Sequence, residues 1–166
     1  AALTKTGDGT LFLTGTNTYT GNTVINGGTV SVTASANLGA ATADVIINGG
    51  TLALPSGTIG TLNSANRVIS IGPAGGTLHF TASQNFEGTG LAGTGNLILT
   101  GTGTLGFGST ASTYNGSIFI NNGQIRMNSP QLNNVASITV ASGASYHIED
   151  DGTDTFSIAA SGRLIL

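Results

Sequence analysis

The sequence predicts an all-β fold, a parallel β-solenoid of about eight short coils in one domain over residues 1–166. Three observations carry this. A unit of apolar strand, glycine turn and apolar strand recurs eight times, at spacings of 19 to 27 residues, which is the length of one solenoid coil. Seven of the eight units place apolar residues both two and four positions after the glycine, the alternation of a strand with one buried face. No run with helical periodicity extends beyond about two turns.

The units run in order as LTKTGDGTLFL, VINGGTVSV, VIINGGTLAL, VISIGPAGGTLHF, LILTGTGTLGF, IFINNGQIRM, ITVASGASYHI and FSIAASGRLIL. Their anchors are Gly9, Gly28, Gly50, Gly76, Gly103, Gly123, Gly143 and Gly162. Two residues on stand Leu11, Val30, Leu52, Leu78, Leu105, Ile125, Ser145 and Leu164. Four residues on stand Leu13, Val32, Leu54, Phe80, Phe107, Met127, His147 and Leu166. The seventh unit keeps its apolar residues one place later, at Tyr146 and Ile148. One extra residue there restores the columns and turns His147 outward. Asn-Gly pairs at 26–27, 48–49, 115–116 and 122–123 suit sharp corners. Asn26 and Asn48 share a position in successive units, where an amide ladder is expected. A hairpin meander fits less well, because like residues recur at like positions. Coils spaced by roughly 4.8 Å make a rod about 35–40 Å long. The long segments 55–66 and 82–95 are the expected weak points toward proteases.

Composition narrows the function. Charged residues are 7 % of the chain, against about 25 % in ordinary soluble domains. Net charge is −3, and Lys5, Arg67, Arg126 and Arg163 are scattered. No basic patch exists to hold a nucleic acid. The absence of cysteine excludes disulfides, thiol nucleophiles and thiolate metal sites. No apolar stretch reaches the ~18–20 residues of a membrane helix, so this segment is not expected to insert. AALTKTG shows no leader, so an exported protein would carry its signal elsewhere.

The stretch KTGDGTLFLTGTNTYTGNTVINGGTVSV resembles the autotransporter-associated β-strand repeat. Lys5, Gly7, Gly9, Leu11, Leu13, Gly15, Asn17, Tyr19, Gly21, Thr23, Ile25, Asn26 and Gly28 match its order and spacing. A looser copy at 101–127 matches at Gly101, Gly103, Leu105, Tyr114, Gly116 and Gly123, without the lysine and the asparagine. The resemblance implies a right-handed parallel β-helix in a large secreted or surface-exposed bacterial protein. It implies corner-plugging roles for Tyr19 and Tyr114, and it carries no catalytic residues.

Candidate chemistry is sparse. HIEDDGTDT gathers Glu149, Asp150, Asp151 and Asp154. Asp150, Asp151 and Asp154 form a weak candidate Ca²⁺ site, although the spacing is neither an EF-hand nor a calcium-binding nonapeptide. A solvated corner loop between two coils is the favoured explanation of the cluster. Lyase or hydrolase chemistry would need paired carboxylates, and Asp150-Asp151 is the one adjacent pair. His79 and His147 read as separate outward strand positions. The glycines of GTGLAGTGNLILTGTGTLGFG lack the lysine and helix of a phosphate loop. Thr14, Thr16, Thr18 and Thr20 run along one coil, whereas an ice-binding array needs Thr stacked from coil to coil. No cofactor is expected.

Two functions follow as expectations. One is a non-catalytic extracellular or cell-surface spacer, fibre or matrix unit, with flanking coils or further copies stacked head to tail. The other is an adhesin module that binds a host or biofilm glycan through an outward coil face.

Overall fold

The computed structural model describes residues 1–55, 67–86, 90–107, 112–127, 134–148 and 163–165. The strands are β1 (Leu3–Lys5), β2 (Thr10–Leu13), β3 (Thr23–Ile25), β4 (Thr29–Val32), β5 (Val45–Ile47), β6 (Thr51–Leu54), β7 (Ile69–Ile71), β8 (Gly76–Phe80), β9 (Gln84–Phe86), β10 (Leu91–Gly93), β11 (Leu97–Gly101), β12 (Thr104–Phe107), β13 (Ser117–Ile120), β14 (Gln124–Met127), β15 (Ser137–Val140), β16 (Ser145–Ile148) and β17 (Arg163–Ile165). A 3-10 turn spans Ser35–Leu38. All pairings among these strands are parallel. The chain is a β-solenoid.

Three sheets wall it. The broad sheet has the order β17-β15-β13-β11-β8-β6-β4-β2, one strand from each of eight coils. A second sheet runs β1-β3-β5-β7-β10, and a third runs β16-β14-β12-β9. Alternation sends every second residue inward. Leu11, Val30, Leu52, Leu78, Leu99, Ile120 and Val140 form one continuous column on the broad sheet. The five from Val30 to Ile120 are fully buried, each worth roughly 1.5–3 kcal/mol of transfer from water.

The glycine-anchored columns hold through four coils and then change wall. Alignment on the glycines places Leu78 beside Leu105 and Phe80 beside Phe107. Instead Leu78 stands beside Leu99, and Phe80 beside Gly101. Leu105 pairs with Gln84, in the third sheet. In the first four coils the strand after the glycine builds the broad sheet. In the fifth, sixth and seventh coils the strand before the glycine takes that place and the strand after it moves to the third sheet, whereas in the eighth β17, which follows Gly162, lies in the broad sheet again. The 27-residue step from Gly76 to Gly103 is therefore one coil of 21 residues plus six that cross a wall.

Packing explains how the exchange is tolerated. In the early coils isoleucines from the second sheet fill the corner beside the glycines. A Cβ on Gly50 would lie 2.5 Å from Ile25 Cγ2, and one on Gly76 would overlap Ile47. At the junction the two roles swap. The column of Ile25, Ile47 and Ile71 ends in Gly93, while Gly76 is followed by buried Leu97. Apolar volume passes from one wall to the next, and the interior stays filled.

Segment 82–95 is thus more than a connector. It supplies β9 and β10, the first strand of the third sheet and the last of the second. Residues 56–66 lie outside the described residues. The seventh unit follows expectation: Tyr146 stands beside Ile125, and exposed His147 beside Arg126. The extra residue sits in a turn closed by Ala144 N–H to Ala141 O at 3.0 Å. The Asn26–Asn48 ladder is not formed. Asn48 Oδ1 accepts instead from Ala74 N–H at 3.0 Å, because the GPAG insertion brings that amide over it. A ladder runs one corner earlier. Asn22 Oδ1 accepts from Asp44 N–H at 3.1 Å, and Asp44 Oδ1 from Val68 N–H at 2.9 Å.

Candidate functional site

The polar residues of the repeat hold backbone. Lys5 Nζ donates to the carbonyls of Thr6 at 2.8 Å, Gly7 at 2.6 Å and, in the next coil, Gly27 at 3.3 Å. Asn17 Nδ2 donates to Asn37 O, one coil on, at 2.6 Å. Asn37 Nδ2 returns a bond to Gly15 O at 2.9 Å. The Tyr19 hydroxyl meets Thr23 Oγ1 at 2.7 Å, at the corner entering β3. Tyr114 is fully buried at the corner entering β13, where its hydroxyl reaches Gly95 O at 2.7 Å and Ser117 O at 2.8 Å. Burial pushes the phenols of Tyr114 and Tyr146 above their ordinary value. The neutral forms are therefore the ones built into the fold.

Arg67 is the largest fully buried side chain among the described residues. Its Nε donates to Ala43 O at 2.7 Å. Its Nη1 reaches Ser35 O at 3.0 Å and Ser35 Oγ at 2.9 Å. Its Nη2 reaches the carbonyls of Leu38 at 3.3 Å, Gly39 at 3.1 Å and Ala40 at 2.9 Å. One cation thus holds the carbonyls at the end of the 3-10 turn, where a positive charge is favoured. Burial lowers the pKa of the guanidinium, while nearby Tyr19 and Asp44 act to raise it. Sequence reasoning placed Arg67 among scattered bases. These partners are backbone carbonyls and one serine hydroxyl 24 to 32 residues earlier, and no motif marks them.

The face open to a ligand is the outer side of the broad sheet. One outward column reads Thr10, Thr29, Thr51, Thr77, Ile98, Phe119 and Thr139. Four stacked threonines give way to two apolar residues and then to threonine again. Asn96 lies just before β11, and Asn121 just after β13. With Ile98 and Phe119 they line a shallow groove of about 260 Å³. Both asparagines are exposed, and Ile98 and Phe119 are half-buried. Beside the groove, His79 Nδ1 lies 3.0 Å from Thr100 Oγ1, and Ser137 Oγ lies 2.9 Å from Ser117 Oγ. No Asp, Glu, Lys or Arg stands on β2, β4, β6, β8, β11, β13 or β15.

Glu149, Asp150, Asp151 and Asp154 lie outside the described residues, so the acidic cluster is neither assembled nor dispersed by the structure. Among the described residues no three potential metal ligands gather. Asp8 and Asp44 are the described carboxylates, and Asp44 is engaged with Val68. His79 and His147 fall on different sheets. The four stacked threonines each follow an anchor glycine directly, at Gly9, Gly28, Gly50 and Gly76, so the glycine alignment already carries this column; the run Thr14–Thr20 along one coil is not part of it. Its continuation into Ile98 and Phe119 appears only once the coils are in register.

Known proteins place this architecture. Residues 3–32 match the passenger-associated-transport-repeat family. That match covers β1 to β4, including the clamp of Lys5 on the turn carbonyls. Over 128 residues, 75 % of this chain, the sequence is 36 % identical to the adhesin BmaC autotransporter of Brucella suis biovar 1 (strain 1330). The chain spans about 4 % of the length of that relative. No solved structure matches it. Repeat motif, stacked parallel coils and adhesin relative agree: the chain is a β-solenoid whose residues 3–32 carry a passenger-associated-transport repeat and which is similar to a short stretch of an autotransporter adhesin.

Proposed function

We propose that this chain is a non-catalytic, surface-exposed rod segment of a bacterial autotransporter-type passenger, acting as a rigid spacer continuous with flanking coils. The observation that carries the reading is where the polar residues of the repeat point. Lys5, Asn17, Tyr19 and Tyr114 all bond backbone or a corner neighbour. In such a segment the conserved quantity is the stacking of coil on coil, which sets reach and stiffness. An extracellular place follows from the same reading and suits a hydroxyl-rich, cysteine-free chain with few charged residues.

A second reading, adhesion through an outward face, is favoured by the break in the threonine column at Ile98 and Phe119. The two readings separate in the parent protein displayed on cells. In one strain residues 1–166 are deleted, and in another they are replaced by an unrelated solenoid of equal length. A spacer is restored by the replacement. If only the native segment restores adhesion, the spacer reading fails and the adhesive one stands. Catalysis is tested by incubating the chain with polysaccharide panels; release of reducing ends would overturn the non-catalytic assignment.

A further inference from the structure

We infer that the groove formed by Asn96, Ile98, Phe119 and Asn121 is a binding site for a neutral hexose unit of a glycan. The inference rests on the adhesive reading, and it names the ligand class and the residues. Three features select this class. The groove has the composition a pyranose needs: apolar carbon and a ring face for its C–H surface, and planar amides on either side for its hydroxyls. Asn96 and Asn121 sit at opposite corners of the Ile98–Phe119 pair, so amides flank the apolar floor. The second feature is charge. The seven strands from β2 to β15 in this sheet bear no acidic or basic residue other than His79. Arg163 stands in the same sheet only on β17, two strands beyond β13, so an anionic sugar or a nucleic acid would find no charged partner in the groove itself, whereas a neutral one leaves no charge unpaired. The third is size. About 260 Å³ lies just below the usual range of small-molecule pockets and accommodates one or two sugar rings, while a folded partner needs a far larger contact.

The geometry also sets an orientation. Ile98 and Phe119 belong to adjacent coils and are separated by one rung, roughly 4.8 Å. A glycan lying along the rod axis advances by about one ring per rung. Its neighbouring units would then meet Thr77 on one side and Thr139 on the other, which stand in the same column. Hydroxyl-bearing side chains continue the site in both directions.

The test uses the whole chain with linear neutral oligosaccharides, the β-1,4 and α-1,4 glucose tetramers and a β-linked galactose tetramer, read by calorimetry and by shifts of the asparagine side-chain amide signals. Phe119→Ala is expected to weaken binding about tenfold, from loss of the ring face, and Asn121→Ala several-fold. Phe12→Ala is the control. Phe12 is 69 % exposed on the same sheet, four coils away and without flanking amides, and its loss is expected to leave binding unchanged. Circular dichroism checks that each variant is folded. Binding that survives Phe119→Ala and Asn121→Ala overturns the site but leaves the adhesive reading intact. If no neutral tetramer binds and the chain still attaches to host cells, the glycan assignment is overturned alone. If neither occurs, both fall.

Discussion

Replacing Arg67 by methionine removes a buried cation while nearly keeping its volume, and its effect follows from the carbonyls left behind. The bonds to Ala43 O, Leu38 O and Gly39 O are buried; those to Ser35 and Ala40 are only partly so. Water can reach the partly buried acceptors after the substitution. The three buried carbonyls lose their donor, at about 1–3 kcal/mol each. Against this, a guanidinium no longer has to be stripped of water, which recovers a few kcal/mol. The net expectation is a loss of about 2–4 kcal/mol, or roughly 4–16 °C in Tm for a chain of this size. Urea titration followed by circular dichroism measures the first, and a thermal scan the second. Solenoid coils are coupled mainly to their neighbours, so the damage should be local. The amides of Ala40 and Ala43, which bond Tyr19 O and Ala40 O at 2.9 Å, should exchange faster than those of β13 and β15. Arg67→Lys should fall between, because one ammonium reaches fewer of these carbonyls. A methionine variant within about 0.5 kcal/mol of the parent, with unchanged exchange at Ala40 and Ala43, would refute the reasoning.

Other expectations are more compact. Tyr114→Phe leaves two carbonyl acceptors without their hydroxyl and should cost about 1–3 kcal/mol in urea denaturation. The phenols of Tyr114 and Tyr146 titrate above the unfolded value of 10.0, so their contribution is complete below pH 10 and is lost as pH rises through the folded value. Stability should therefore fall above pH 10, by about 1.4 kcal/mol per pH unit for each phenol, and Tyr114→Phe should make that slope shallower; an identical slope would contradict the assignment. Gly93→Ala puts a Cβ against Ile71 backbone at φ +106 and should destabilise by about 3 kcal/mol or more. Gly9→Ala, with open space around it, should stay within about 1 kcal/mol of the parent; equal effects at the two glycines would remove the close-packed corner from the account.

The sequence announced the solenoid because the same two constraints recur in every coil. Corners need residues without side-chain bulk, and strands with one wet face need alternation, so glycine period and apolar columns are written at 19–27-residue intervals. It also announced the outward turn of His147, since a single extra residue moves Tyr146 into place. The change of wall after the fourth coil was not legible. Strand–glycine–strand reads the same whichever corner the glycine occupies, and only the swap of Ile71 and Gly76 for Gly93 and Leu97 betrays it. Such a swap is visible once neighbours across two walls are known. The clamp of Arg67 was hidden for a related reason, because backbone carbonyls have no sequence signature. The candidate groove needed the register too. Asn96, Ile98, Phe119 and Asn121 are ordinary strand and turn residues in two different units, and they become one surface only when β11 lies beside β13.

The register at the wall change is the most direct test of this architecture, and the absence of native cysteine makes it accessible by disulfide trapping. The doubly substituted chain His79→Cys/Thr100→Cys places its thiols on paired residues of β8 and β11. Neighbouring parallel strands bring Cα atoms within the roughly 4.4–6.8 Å that a disulfide spans. His79→Cys/Gly106→Cys pairs the positions that a uniform glycine register would bring together. Mild oxidation should cross-link the first pair in the folded monomer and leave the second as free thiols, by mass spectrometry after trypsin. Cross-linking at Gly106 and not at Thr100 would contradict the exchange of walls, and cross-linking at neither would contradict the coil stacking itself.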